Sequence, residues 1–158
     1  RARPRVTSSA GQESVRLASH ADVANLKRLR HEHVAETVQL RGGALLEAEL
    51  PVPDWVALIA GSDSCVWLGC LDSVVVAYAL VQRSEVAGLA RIAELFVEHA
   101  ARSVGIGELL RGACVTTARD WGCSGLDAFA LPGARETKNF FEAGGFKARL
   151  LVVHRSLD

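Results

Sequence analysis

Two glutamates and two glycines lie close together in the chain, and they combine residue types suited to acid–base chemistry beside a bound anion. Glu94 and Glu98 lie near the end of an apolar run, and a carboxylate side chain can act as a general acid or base. Gly105 and Gly107 follow, and they remove Cβ atoms where a backbone must approach something closely. Because a helix begins at this point, its free N–H groups favour negative charge. The segment therefore predicts a phosphate-binding loop.

A strand, a loop and a helix must position these residues. The apolar run from Ile92 to Val97 is typical of a strand, and helical apolar spacing starts at Ile106 and ends before Gly122. Two common glycine-loop patterns are excluded. Leu110 replaces the third glycine of the dinucleotide-binding pattern, and no Gly-Lys-Ser/Thr follows the loop. A Gly-x-Gly pair alone is more often a structural turn than a ligand site.

The longer pattern Val-x-x-x-x-Arg-x-x-Gly-x-Gly, at positions 97–107, resembles the acetyl-CoA loop of the GNAT superfamily of N-acetyltransferases. In that family, main-chain amides of the loop wrap the CoA pyrophosphate, and the preceding strand pairs with the pantetheine arm. The resemblance implies acetyl-CoA as co-substrate and no metal. The cofactor-binding residues that it implies are Leu95, Phe96, Val97, Arg102, Ser103, Val104, Gly105, Ile106, Gly107, Glu108, Asn139 and Phe141.

Positions 140–146 read Phe-Phe-Glu-Ala-Gly-Gly-Phe, which resembles the family's C-terminal motif Phe-Tyr-Glu-x-x-Gly-Phe. Alone, this stretch is equally an amphipathic helix with core phenylalanines and a glycine stop. Because it follows the first motif in the family's order, the two together imply the family over residues 14–157.

One position departs from the family pattern. Phe141 stands where many members carry a tyrosine that protonates the departing CoA thiolate, and phenylalanine cannot donate a proton. The chain's one tyrosine, Tyr78, lies in a different predicted strand. The protein therefore uses another donor, releases the thiolate unassisted, or does not catalyse. Since a thiol with a pKa of about 8.5 is a tolerable leaving group, we expect slower transfer rather than none.

The reaction that the resemblance implies is attack of a neutral amine on a thioester carbonyl. Glu94 is the first candidate for the base, Glu98 the second and His99 a third. Glu94 could instead be a polar residue on a partly exposed strand face, or an ion-pair partner. Backbone N–H groups near Phe96 and Val97 would polarise the thioester oxygen. In the family this strand often carries a bulge, and the pantetheine enters the resulting gap.

The element order predicts an α/β (α+β) fold: a GNAT-like, mixed and mostly antiparallel sheet flanked by helices, with a β-α-β unit that binds acetyl-CoA. Residues 1–13 are expected to form a loose tail, and residues 14–158 a single domain. The predicted strands cover 14–18, 64–70, 74–82, 89–97, 125–131 and 147–156. The predicted helices cover 19–38 with an interruption near His31 to His33, 44–50, 55–60, 106–121 and 135–143.

Composition narrows the function classes. The 18 basic and 18 acidic residues give no net charge, which argues against nucleic-acid binding. No apolar run has the length of a membrane-spanning helix. The four cysteines form no Cys-x-x-Cys pair, so we expect reduced, mostly buried thiols and a cytoplasmic protein. His31 and His33 do not share a helix face, so solvated surface histidines are expected rather than a metal pair.

The leading hypothesis is an acetyl-CoA-dependent N-acetyltransferase acting on a primary amine of a small molecule or peptide. The alternative is a GNAT-fold module that binds acetyl-CoA, or nothing, and acts as a sensor or interaction domain. A longer acyl chain is a third possibility. The segment 44–60 would form the flap over the acceptor, and it offers no obvious contact for a strongly charged acceptor. An apolar last strand, Leu150 to Val153, could pair two copies into a homodimer.

Overall fold

The computed structural model describes residues 11–158, and its centre is a five-stranded sheet in the order β1-β2-β3-β4-β5. Neighbouring strands are antiparallel except β4 and β5, which are parallel. This confirms the predicted mixed, mostly antiparallel sheet with one β-α-β unit. The strands are β1 (Glu13–Leu17), β2 (Ser64–Leu71), β3 (Val74–Arg83), β4 (Leu89–Val97) and β5 (Gly125–Ala128).

Five helices of the described range cover the sheet, and short 3-10 turns (His20–Asp22 and His99–Ala101) precede two of them. Residues 1–10 of the predicted tail lie outside the described residues. No helix among residues 11–158 combines the length and the hydropathy that crossing a membrane requires. The helices are α1 (Val23–Thr37), α2 (Gly43–Glu49), α3 (Trp55–Ala60), α4 (Ile106–Asp120) and α5 (Arg135–Ala143).

Helical structure begins after Ser19, as the sequence predicts, first as the 3-10 turn and then as α1, which runs without a break. The Ser19 N–H donates to Asp22 Oδ2 at 2.8 Å, as in a capping box, and Arg16 binds the same carboxylate and holds its pKa well below the usual range. The predicted interruption near His31 to His33 is wrong. The His33 ring stacks on Phe96 of β4, so packing on the sheet outweighs the modest helix propensity of histidine.

Strand β3 is the central strand, buried on both faces as its run of valines predicts. Tyr78 and Leu80 pack against α1 and α3, and Ala77 and Ala79 pack against α4. The small alanines let α4 lie close to the sheet. A Cβ added to Gly69 of the neighbouring β2 would lie 2.4 Å from Ile106 Cγ2.

A β-bulge in β4 changes which face its side chains occupy. Ile92 pairs with Val81 and Glu94 with Leu80, so Ala93 is an extra residue in the ladder. Ile92 belongs to the core under α4, whereas Phe96 belongs to the core under α1. Strand residues two apart normally share a face. The bulge therefore places Glu94 on the α1 face of the sheet.

Strand β5 is short, and the predicted strand over 147–156 is wrong. Within the described range 11–158, residues 147–158 form no backbone–backbone hydrogen bond, and a strand requires such partners. Arg149 Nε contacts Asp127 Oδ1 at 2.8 Å, which ties the segment to β5. Beyond this contact, Leu150 to Val153 are 75–85% exposed. The apolar pattern is present in the sequence, but no strand in the described part of the chain pairs with this segment.

Candidate active site

The two parallel strands separate where the bulge lies. Strand β5 pairs with β4 only from Leu89 to Ile92, and β4 then continues alone to Val97. A cavity of about 120 Å³ lies at this opening, between the free part of β4, the segment after β5, and helices α1, α2 and α5. Its lining residues are His33, Thr37, Leu40, Leu46, Glu47, Leu50, Ile92, Ala93, Glu94, Leu95, Phe129, Ala130, Leu131, Ala134, Thr137 and Phe141.

Backbone groups of β4 face this gap in an alternating pattern. The Glu98 N–H bonds to the Val76 carbonyl of β3, and the Val97 carbonyl accepts from Arg102 on the other side. Alternate residues of a strand direct their N–H and C=O groups to the same side. The N–H groups of Leu95 and Val97 therefore face the gap, and that of Phe96 faces β3.

The glycine loop leads from the end of β4 into α4. Ser103 and Gly105 have φ angles of +69° and +92°, and the helix begins at Ile106. A Cβ added to Gly105 would meet no atom within 4 Å, so open space lies beside the first-turn N–H groups of α4. This space fits a phosphate group. Gly107 differs, because its added Cβ would lie 3.1 Å from the Phe140 ring.

Arg102 connects the loop to the sheet and to α1. Its Nε donates to the Val97 carbonyl at 2.9 Å, its Nη2 donates to Glu36 at 2.6 Å, and its guanidinium lies over the Phe96 ring. In this arrangement it holds the end of β4 and the loop in place. The exposed Val104 and Glu108 belong to the same segment.

Helix α5 closes one side of the cavity. Phe141 is buried against Phe140 and Phe146, and its ring also lines the cavity. Asn139 is exposed on the same helix. The position that the resemblance aligns with a tyrosine proton donor is therefore an apolar wall here.

Glu94 lies in a buried polar network on the α1 face, and it is 7% exposed. Arg30 Nε donates to Glu94 Oε1 at 3.0 Å, and the Tyr78 hydroxyl donates to Glu94 Oε2 at 2.7 Å. The same Arg30 contacts Glu47 Oε2 of α2 at 3.2 Å. Glu94 is thus an ion-pair partner on a buried face of the sheet, and it also lines the cavity.

His33 continues this network and was not predicted as a site residue. Its Nδ1 lies 2.8 Å from the Tyr78 oxygen, and it lines the cavity rather than being solvated at the surface as expected. Burial lowers the pKa of His33, so the ring is neutral near pH 7. The sequence feature that could have led to His33 is Tyr78, because a buried tyrosine in an apolar strand needs a hydrogen-bond partner for its hydroxyl.

The second and third base candidates lie elsewhere. Glu98 binds Arg28, which also contacts Glu32 at 3.1 Å, and it does not line the cavity. His99 begins the 3-10 turn before the loop. Among residues 11–158, no group of three or more histidine, cysteine or acidic side chains could hold a metal ion.

The acetyltransferase (GNAT) family model matches residues 27–146, which span β2 to β5 and both motifs. The chain belongs to the GNAT family. No curated protein matches this GNAT-family chain in sequence.

Solved structures share the fold of this GNAT-family protein. The tetramutant of the BH1408 protein from Bacillus halodurans has a TM-score of 0.76 and 18% identity, covering 91% of this chain and 99% of that one. Aminoglycoside N-acetyltransferase AAC(6')-Iy in complex with CoA has a TM-score of 0.67 and 15% identity, covering 90% and 98%. Ribosomal-protein-alanine N-acetyltransferase from Brucella melitensis biovar Abortus 2308 has a TM-score of 0.67 and 14% identity, covering 93% and 100%.

Proposed function

We propose that this protein is an acetyl-CoA-dependent N-acetyltransferase that transfers an acetyl group to a primary amine. One observation carries the proposal: the bulged β4 presents Glu94 to a cavity, and its free end leads directly into the glycine loop. A CoA-binding loop and an acid–base group are thereby joined by a single strand. Family membership and a structural neighbour that holds CoA support the same conclusion.

The residues present fit acetyl-CoA, which would supply the activated acetyl carbonyl. The loop from Arg102 to Gly107 and the first turn of α4, with Glu108, would bind the pyrophosphate through their amides. Leu95 and Val97 would offer N–H groups to the pantetheine arm and the thioester oxygen. Asn139 and Phe141 would contact the cofactor from α5. Phe96, whose N–H faces β3 and whose ring stacks on His33, would support the strand from its other face.

The cavity suits an amine on an apolar body. Glu94 and Glu98 are the base candidates that the sequence marks. Of the two, only Glu94 lines the cavity, from which it would act on the amine directly or through other groups. Among residues 11–158, Glu47 and Glu94 both pair with one cation, Arg30, so an acceptor ammonium would find an excess of negative charge. The other walls are mainly leucine, alanine and phenylalanine, without lysine or arginine. We therefore expect the acceptor to be an amine of a small molecule or a peptide, with no carboxylate close to the amino group.

Thiolate release would proceed without a tyrosine donor at position 141. Tyr78 cannot fill this role, because its proton is held by Glu94 and its pKa is raised well above the usual value, chiefly by burial. The alternative function, a binding or sensor module, is favoured by this missing donor and by the two partners that already occupy Glu94.

Two further expectations belong to this proposal. Leu150 to Val153 are free to pair with a second copy, which would give a homodimer. All four cysteines are free thiols, which fits a reducing compartment such as the cytoplasm.

Calorimetric titration with acetyl-CoA tests the proposal, with NADH and ATP as controls. We expect micromolar affinity for acetyl-CoA alone, about −8 kcal/mol. A screen of amines for thiol release would then follow. Absence of acetyl-CoA binding would mean that the glycine loop is a structural turn and that the protein is not an acetyltransferase.

A further inference from the structure

Three side chains on three elements form a continuous hydrogen-bonded chain from the buried carboxylate to the cavity. Glu94 of β4 accepts from the Tyr78 hydroxyl of β3 at 2.7 Å, and Tyr78 contacts His33 Nδ1 of α1 at 2.8 Å. The Tyr78 ring is fully buried, and Trp55 and Phe96 pack around it. Such enclosure gives the hydroxyl few alternatives to these two partners.

The direction of each hydrogen bond follows from the proton inventory. Glu94 is the carboxylate of an ion pair with Arg30, and a carboxylate accepts on both of its oxygens. Tyr78 has one hydroxyl proton and gives it to Glu94 Oε2. The Tyr78 oxygen can then only accept, so the neutral His33 ring carries its proton on Nδ1. His33 Nε2 is left with its lone pair.

This nitrogen is accessible to solvent. In the described part of the chain, His33 Nε2 has no hydrogen-bond partner, and no fully buried side-chain nitrogen or oxygen there lacks one. It follows that Nε2 reaches solvent, and the ring lines the cavity. The charged groups around the ring are Glu94, Arg30, Glu36 and Arg102, two anions and two cations.

We propose that His33 is the catalytic base of this acetyltransferase, with Tyr78 and Glu94 as positioning residues that hold its proton on Nδ1. The inference rests on the proposed function and assigns the base to a residue that the sequence motifs do not mark. An acceptor that binds as an ammonium first loses one proton to solvent. The neutral amine nitrogen then forms its bond to the acetyl carbon while His33 Nε2 takes a proton from it. The C–S bond breaks and sulfur leaves with the bonding electrons.

The charged state that this step creates has a counter-ion in place. Protonated His33 donates from both nitrogens, to Tyr78 through Nδ1 and to solvent through Nε2. The Glu94 carboxylate, one hydrogen bond further, stabilises the imidazolium. Because Nε2 reaches solvent, the proton can leave the site between turnovers. Glu94 therefore acts through Tyr78 and does not need to leave Arg30.

The first experiment reads the proton position without any substrate. Nitrogen NMR of the protein labelled with ¹⁵N-histidine should show His33 as the Nδ1–H tautomer, and Tyr78→Phe should abolish that preference. A predominant Nε2–H tautomer in the wild type would overturn the inference, whatever acetyl-CoA binding shows.

The second experiment follows turnover with an amine found in the acceptor screen. His33→Gln should lower kcat by roughly 10²-fold or more, the range for losing a general base, with acetyl-CoA affinity unchanged. Added imidazole should partly restore the kcat of His33→Ala. Tyr78→Phe should shift the acid limb of the profile of kcat against pH. Thr117→Val is the control, since it removes a hydrogen bond to Trp67 (3.0 Å) on the other face of the sheet.

The outcomes separate the inference from the proposed function. Normal kcat in His33→Gln, in a wild type that acetylates amines, would overturn the role of His33 and leave the acetyltransferase intact. A wild type that binds no acetyl-CoA would overturn both. Loss of kcat in Thr117→Val equal to that in Tyr78→Phe would mean that Tyr78 acts through stability alone, which also contradicts the inference.

Discussion

Replacing Gly105 by aspartate is the sharpest test of the loop, because the structure separates its effect on the ligand from its effect on the fold. Gly105 has a φ of +92°, and an added Cβ meets no protein atom within 4 Å. A side chain there would project into the space assigned to phosphate. The protein itself would lose only the backbone conformation that favours glycine.

The two costs have different sizes. A non-glycine residue in the left-handed region costs about 1–2 kcal/mol, which lowers Tm by roughly 2–8 °C in a chain of this size. A carboxylate about 4 Å from a phosphate charge costs about 4 kcal/mol at an effective dielectric constant near 20, or roughly 10³-fold in affinity. Gly105→Asp should therefore remain folded while losing nearly all acetyl-CoA binding.

Calorimetry with acetyl-CoA and a thermal melt, on the same samples, measure both costs. Gly105→Asn matches the size without the charge, so it should lose less affinity. Gly122→Asp is the matched control, because Gly122 has a φ of +75° and equally open space at the opposite end of α4. If Gly105→Asp binds acetyl-CoA as tightly as Gly122→Asp does, the loop is not the phosphate site.

Four further predictions follow from the site and the sheet edge. Glu47→Gln should raise the KM for the amine roughly tenfold with kcat nearly unchanged, and the exposed Glu49→Gln should not. Phe141→Tyr should raise turnover in the thiol-release assay by placing a proton donor at the cavity wall; no gain would show that thiolate release is not limiting. Burial lowers the pKa of His33 in the folded state, so its stability contribution is complete above about pH 6.5 and falls on acidification. Thermal melts should show this slope in the wild type and less of it in His33→Gln. Leu151→Asp should shift a dimer to monomer in sedimentation, and a monomeric wild type would contradict the pairing.

Local patterns in the sequence were sufficient for most of the fold. Alternation and β-branched runs located β2, β3 and β4, because a strand covered on both faces has few other compositions. Glycines 105 and 122 marked both ends of α4, and both have positive φ angles. The parallel pairing of β4 with β5 followed from the intervening helix, since such crossovers join parallel strands.

The composition of the site depends on contacts that no local pattern contains. His33 and Tyr78 are 45 positions apart, and they meet because α1 packs on the central strand. Glu94 was found through its position on β4, but its ion pair with Arg30 requires the same packing. The prediction of a strand over residues 147–156 failed for the opposite reason. A local strand pattern was present, but pairing depends on an available neighbour.

The bulge at Ala93 explains why the gap and the charge occur together. An insertion of one residue inverts the side-chain alternation, so Glu94 and Phe96 face α1 instead of the apolar core under α4. Without the inversion, the carboxylate would lie among Ile106, Leu110 and Cys114, far from any cation and at a large desolvation cost. The gap that can admit a thioester begins at the same residue, where β4 leaves β5. One irregularity in the ladder thus brings the buried carboxylate, its tyrosine and the cavity to the same point.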